Sequence, residues 1–387
     1  MKRNVSVLVK PASSRCNLAC AYCFYLEKAA LYPWEGRPAL SLDTFEAFLR
    51  QYMEGFAQPY TFAWQGGEPT LMGLPFFQAA VQLEARVARE VNPGSLSHIS
   101  NAIQTNGVQL DDDWARFFKE SNFLVGVSVD GPPEMHDRYR TDRTGRPSHR
   151  AAMDGVEHLR RRGVEFNILT VVSSANVEHP EELLGWLVGQ RFRQLQFIPL
   201  VEPLPGHTSV VEAGALPGSI TPQQYGRFLE RLFDAWVAAG SDSVRIRWFD
   251  NLVQLLWGHP AETCEMARRC GMYVVLEHNG DCYPCDFFVQ GEWLLGNVLE
   301  TPLEKIVNSA IFHRFRRMKS RLHPECRDCP WLSLCHGECP RYRITGSGRA
   351  EGALPYFCPS FRHFFESRYN ALERVAVSLG RRLGLPV

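Results

Sequence analysis

The chain has 387 residues, 45% of them apolar, with 42 Lys plus Arg against 42 Asp plus Glu. That length asks for more than one ordinary core, and that apolar share excludes wholesale disorder. Balanced charge argues against binding nucleic acid through its phosphates.

In chain order, Lys2 and Arg3 precede an apolar run, Val5–Val9, that Lys10 and Pro11 stop. The run is too short for a signal peptide and reads as a first buried strand. No stretch reaches the roughly 18 apolar residues of a membrane span. A cytoplasmic protein is expected. Further strands are expected at Tyr60–Trp64, Ser97–Thr105, Phe123–Ser128, Glu165–Val172 and Gln194–Pro199. Helices are expected at Leu42–Phe56, Pro75–Val91, Asp112–Glu120, Arg150–Arg162, Pro180–Gly189 and Pro222–Ala239. Ser41 or Asp43 can cap the first helix, and Pro222 after Thr221 suits a first helical turn. Strands alternating with helices predict an α/β fold with a parallel sheet and right-handed crossovers. Six such units make a partial (β/α)6 TIM-like barrel, whose ligands bind at the C-terminal strand ends.

From about residue 241 helices become sparse, and Cys, Gly and Pro rise. This predicts a loop-rich domain over 241–358, held by metal more than by a large core. It follows a barrel over 1–240 and precedes a C-terminal helix, placed at Ser360–Leu379 within 359–387.

Twelve cysteines with no export signal point to metal rather than disulfides. They segregate: three lie at 16–23 and nine at 264–358. Cys16, Cys20 and Cys23 form C-x3-C-x2-C on the loop after the first strand. Three thiolates can hold three irons of a [4Fe–4S] cube and leave the fourth open for chemistry. Zinc sites usually pair two C-x2-C knuckles, and no second knuckle lies near residue 16. Ferredoxin spacing differs as well. Gly66-Gly67-Glu68-Pro69 follows the second expected strand, where glycines let a ligand approach the backbone. Thr105-Asn106-Gly107 and Ser128-Val129-Asp130-Gly131 end the third and fourth, and His136-Asp137-Arg138-Tyr139-Arg140 follows. Taken alone, these are ordinary strand–helix loops.

The later cysteines read Cys264-x5-Cys270-x14-Cys285, then Cys326-x2-Cys329-x5-Cys335-x3-Cys339, then Cys358, with four residues between Gly280 and Cys285. Eight thiolates suit two fully ligated [4Fe–4S] clusters, or two four-thiolate zinc sites. Cys282 is left over, as a spare thiol or a swapped ligand.

The first cysteine loop resembles the signature of the radical S-adenosylmethionine (SAM) enzymes, and the second set resembles their SPASM extension. Over essentially the whole chain the resemblance is to the anaerobic sulfatase-maturating enzymes, through Cys23-Phe24-Tyr25, Tyr283-Pro284-Cys285-Asp286-Phe287-Phe288 and Leu295-Gly296-Asn297. The resemblance implies three [4Fe–4S] clusters and SAM. Gly66, Gly67 and Glu68, with Gln65 adjacent, would meet the SAM amino group, and Ser128 its ribose. Arg140 would meet its carboxylate, with Arg138 as rival. Cys264, Cys270, Cys285 and Cys339 would hold one auxiliary cluster, and Cys326, Cys329, Cys335 and Cys358 the other. Tyr25 would touch substrate and Asp286 would be the catalytic base.

The implied reaction is oxidation of a Cys or Ser to Cα-formylglycine. A 5′-deoxyadenosyl radical takes a hydrogen from Cβ, and the auxiliary clusters remove an electron. The implied partners are an unfolded sulfatase or peptide with a Cys/Ser-x-Pro-x-Arg motif, and a reducing donor such as flavodoxin or ferredoxin. We expect a monomer, binding neither nucleic acid nor membrane. The alternatives are a SPASM maturase that crosslinks a ribosomal peptide and a non-catalytic, metal-stabilised binding module. The 15 residues before Cys16 argue against the version of the first that carries a leading peptide-binding domain.

Overall fold

The computed structural model describes residues 2–32 and 38–385. The chain divides into two compact units, each assembled from separate stretches. Met1–Ser128, Arg140–Phe166 and Gly271–Arg316 form the first; Val129–Tyr139, Asn167–Cys270 and Arg317–Val387 form the second. The first unit draws on both halves of the chain, because a later strand pairs with the first one.

In the first unit, β1 (Ser6–Lys10), β2 (Tyr60–Trp64), β3 (Ile99–Thr105) and β4 (Leu124–Ser128) run parallel in that order. On its other side β1 pairs in parallel with Tyr273–Glu277. That strand forms an antiparallel ladder with Asp281–Tyr283, which pairs with Gly296–Asn297. β1 is covered on both faces, with Val7 and Val9 fully buried, and its unbroken apolar sequence fits that setting. Helices Leu42–Gly55 and Leu74–Val91 follow β1 and β2, and Asp112–Glu120 follows β3. Ser41 caps the first of them, its Oγ accepting the Thr44 N–H at 3.0 Å. The core is strongly aromatic, with Phe45, Tyr52, Tyr60, Phe62, Trp64 and Phe77 buried.

The second unit holds the strands Phe166–Val172, Gln194–Pro199 and Arg245–Ile246, again parallel. Helix Pro222–Ala238 opens with a capping box between Thr221 and Gln224, which satisfies the N–H groups of its first turn. The last helix, Cys358–Arg382, packs along it. Ser360 Oγ donates to Pro222 O at 2.6 Å, and Phe364 meets Phe233 edge-on at 5.6 Å. The six expected barrel strands and six helices are all present, with bounds within two residues of those read from sequence. Among the described residues no helix is long and apolar enough to cross a membrane.

Candidate active site

The loop that carries Cys16, Cys20 and Cys23 leaves the C-terminal end of β1 and is fastened by the loop after β2. The Gly67 N–H donates to Ser13 O at 2.6 Å and the Glu68 N–H to Arg15 O at 2.8 Å. The approach requires glycine. A Cβ on Gly67 would stand 2.1 Å from Arg15 O, and one on Gly66, whose φ is +142°, would stand 2.8 Å from Ser13 O.

Glu68 is fully buried, and its carboxylate gathers four donors. Oε1 accepts from Thr70 N at 3.0 Å, Thr70 Oγ1 at 2.7 Å and Thr105 Oγ1 at 2.8 Å; Oε2 accepts from Asn106 N at 2.8 Å. Burial pushes this carboxyl upward, and the donors act against that. Asn106 passes the anchoring on, its Nδ2 donating to Asn17 Oδ1 at 2.7 Å, between Cys16 and Cys20. The Cys16 thiol is pushed up to about 12, first by burial, then by Glu68, then by Cys20 and Cys23. Thiols crowded in this way favour a bound cation, so the loop fits an iron–sulfur cluster.

The remaining candidates on this face fall in the same unit. Gln65 N donates to Val9 O at 2.9 Å. Gln104 Nε2 donates to Ser128 Oγ at 3.1 Å. Arg140 is buried, with its guanidinium 5.4 Å from the Tyr22 ring centroid. The segment after it is tied to the cysteine loop, where Ala19 N donates to Thr141 O at 2.8 Å. Its rival Arg138 is exposed and belongs to the other unit.

Asp286 lies in a single helical turn directly after Cys285 and is buried. Its Oδ1 pairs with Lys10 Nζ. That ammonium also lies 4.3 Å from the ring centroid of Tyr25, whose hydroxyl donates to Glu277 Oε1. Burial raises the Tyr25 phenol well above its ordinary value, and Glu277 and Asp286 add to it. Tyr25 therefore stays a neutral donor. Tyr273 OH lies 3.2 Å from Cys285 Sγ. The spare Cys282 is fully buried, and burial drives its thiol far up, which suits a packing role. Lys10 and Glu277 escaped the sequence reading. The one available signal was a charged residue closing each apolar strand.

In the second unit Cys326, Cys329, Cys335 and Cys358 line one cavity, together with Trp331, Phe361 and Phe365. Burial pushes the Cys335 thiol up to about 12 and that of Cys358 to about 11. The surrounding loops converge on Arg343, which is fully buried. Nε and Nη2 donate to Gly337 O at 3.0 and 2.7 Å, Nη2 to Lys319 O at 3.0 Å and Nη1 to Arg321 O at 3.1 Å. Buried Lys319 donates to Cys264 O at 2.9 Å and Glu265 O at 2.6 Å. Cys264, Cys270 and Cys339 belong to this unit and Cys285 to the other. Among the described residues no three Cys, His, Asp or Glu side chains gather closely enough to hold a single metal ion. Four cysteines spread around a void fit a larger cluster.

Comparison with known proteins agrees with this geometry. The radical SAM superfamily profile matches residues 11–187, and an iron-sulfur cluster-binding domain matches residues 264–330. A serine-type anaerobic sulfatase-maturating enzyme of Bacteroides thetaiotaomicron is 38% identical over 93% of this chain and 88% of its own. A cysteine-type enzyme of Clostridium novyi is 36% identical over 98% and 99%. Among solved structures, native anSMEcpe with bound AdoMet and Cp18Cys peptide superposes with a TM-score of 0.87 at 35% identity, over 97% of this chain and 99% of that one. The chain is thus a [4Fe–4S]- and SAM-dependent enzyme and belongs to the anaerobic sulfatase-maturating enzymes.

Proposed function

We propose that Asp286 takes the thiol or hydroxyl proton of a Cys or Ser in an unfolded sulfatase segment, which the enzyme oxidises to Cα-formylglycine. The observation that carries this reading is a buried carboxylate directly after Cys285, ion-paired with Lys10 and beside Tyr25. A base in general acid–base catalysis has to be held in place near the proton it takes. Tyr25, its ring under the same Lys10 ammonium, would contact the substrate side chain.

The clusters and SAM supply, when bound, the radical that removes hydrogen from the substrate Cβ and the route for the second electron. Cys16, Cys20 and Cys23 would hold the cluster that serves SAM. Glu68 spends its carboxylate on four internal donors, so the backbone of Gly66, Gly67 and Glu68 is what the loop offers to the SAM amino group. Gln65 and Ser128 flank it, and the buried Arg140 guanidinium suits the SAM carboxylate. Cys326, Cys329, Cys335 and Cys358 would hold one auxiliary cluster; the family resemblance assigns Cys264, Cys270, Cys285 and Cys339 to the other. A peptide with a Cys/Ser-x-Pro-x-Arg motif is the substrate, and a flavodoxin- or ferredoxin-like protein supplies the reducing electron. The bound peptide named for the solved relative supports a peptide substrate.

The test incubates reduced enzyme and SAM with Cys-x-Pro-x-Arg and Ser-x-Pro-x-Arg peptides. Conversion of one or both to formylglycine is expected by mass. Formation of 5′-deoxyadenosine with both peptides unchanged would sink the substrate assignment. Asp286→Asn should keep its iron and lose most product; undiminished turnover would remove Asp286 as the base.

A further inference from the structure

Lys10 and Glu277 close two neighbouring parallel strands and are register partners. Both side chains are buried, at 1% and 0% exposure. Packing gives no reason for charge there, since a buried ion pair exchanged for apolar side chains is often neutral or stabilising. What the charges do is visible in their contacts. The Lys10 ammonium pairs with Asp286 Oδ1 and sits over the Tyr25 ring. Its stem lies under the loop after β2, where a Cβ on Gly66 would meet Lys10 Cδ at 3.3 Å. Glu277 accepts from Tyr25 OH through Oε1, and its Oε2 lies 3.1 Å from His278 Nδ1.

One side chain therefore touches the proposed base, the proposed substrate-facing ring and the proposed SAM loop. Asp286 sits on one short turn, and such a carboxylate has several staggered rotamers to choose from. We infer that Lys10 is a positioning residue that fixes Asp286 in the rotamer aimed at the substrate proton, while Glu277 fixes the Tyr25 ring beneath that ammonium. The inference rests on the reading of Asp286 as the base. It assigns Lys10 no contact with substrate. Its effect passes through Asp286, so losing Lys10 should separate two events that are normally coupled: SAM cleavage continues, and peptide oxidation fails to follow.

The experiment compares wild type, Lys10→Met, Lys10→Arg, Asp286→Asn and the Lys10→Met/Asp286→Asn double variant, each reconstituted. Iron content, the reduced-cluster electron paramagnetic resonance signal, peptide affinity, 5′-deoxyadenosine and oxidised peptide are measured. For Lys10→Met the expected result is wild-type iron and spectrum, near-wild-type peptide affinity and about a hundredfold lower oxidation, the scale of a misplaced group. The ratio of 5′-deoxyadenosine to product should rise well above that of wild type. Lys10→Arg keeps the charge but displaces it, and should give an intermediate ratio; it carries the test if Lys10→Met does not accumulate. In the Asp286→Asn background, removing Lys10 should cost little more, because the two act as one unit. Equal loss of both products at an unchanged ratio, or full additivity in the double variant, would overturn the inference. If wild type itself oxidises neither peptide, it is the reading of the function that has failed.

Discussion

Each unit uses a fully buried ionisable side chain to tie loops beside its cysteines, a carboxylate in the first and a guanidinium in the second. In the first unit the Glu68 carboxylate collects N–H and O–H donors from the loops after β2 and β3. In the second the Arg343 guanidinium collects carbonyls from two stretches, Lys319 to Arg321 and Gly337. The difference follows from what each neighbourhood leaves unpaired. Loops at the C-terminal ends of parallel strands present spare N–H groups, and an acceptor satisfies them. Short helices ending in loops present spare carbonyls, and a donor with five N–H groups satisfies those. Where backbone ladders stop, one buried ion bound by several neutral groups sets the position of a metal-ligating loop.

The sharpest way to break this pairing is Arg343→Met. It strands several buried carbonyls, each worth about 1–3 kcal/mol, so a loss of roughly 3–5 kcal/mol is expected. Iron content should fall and hydrogen exchange should rise in residues 317–358 while β1–β4 keep their protection. Uniform exchange across both units would show that the hub is not local. Glu68→Ala comes next. Four donors lose their acceptor, for about 3 kcal/mol, and SAM affinity measured by equilibrium dialysis should drop. Glu68→Gln keeps an acceptor oxygen and should fall between.

A third test uses a buried carboxylate that has only one side-chain donor. Glu84 Oε2 accepts from Asn101 Nδ2 at 2.8 Å, and Asn101 Oδ1 accepts from Trp64 Nε1 at 2.7 Å. Burial pushes Glu84 up to about 8, against about 4.3 in an unfolded chain. The protonated acid is thus favoured by folding. Its stabilisation is complete below about pH 4.3 and is lost as pH rises towards 8. Glu84→Gln should match wild type in acid and exceed it by about 1–3 kcal/mol above pH 8. Parallel melting curves would show that Glu84 is not held neutral. The smallest effect is expected from Arg86→Ala. This exposed arginine bridges half-buried Glu46 and exposed Glu90, and the melting temperature should stay within experimental scatter, because pairs open to solvent contribute little.

The same contrast explains what the sequence disclosed. Glu68 could be found because it sits in Gly66-Gly67-Glu68-Pro69, where two glycines mark a close backbone approach. Arg343 could not, since no motif surrounds it and its partners are main-chain atoms spread over residues 319–337. The strands were legible because β1 to β4 and their successors alternate with strongly amphipathic helices. The pairing of β1 with Tyr273–Glu277 was not, since a partner so distant in the chain leaves no periodic trace. That pairing is also why Lys10 and Glu277 went unnoticed: each is an ordinary strand end until the register sets them side by side.

Central placement of β1 has a consequence for biosynthesis. Val7 has one neighbour at Phe62 and another at Val274. The first neighbour is made almost at once; the second appears only after most of the chain. At about 5–20 residues per second, that delay is on the order of tens of seconds. Throughout it, one flank of the nascent sheet stays open beside the loop carrying Cys16, Cys20 and Cys23. The β1 edge beside that loop is therefore completed only when Tyr273–Glu277 has been made.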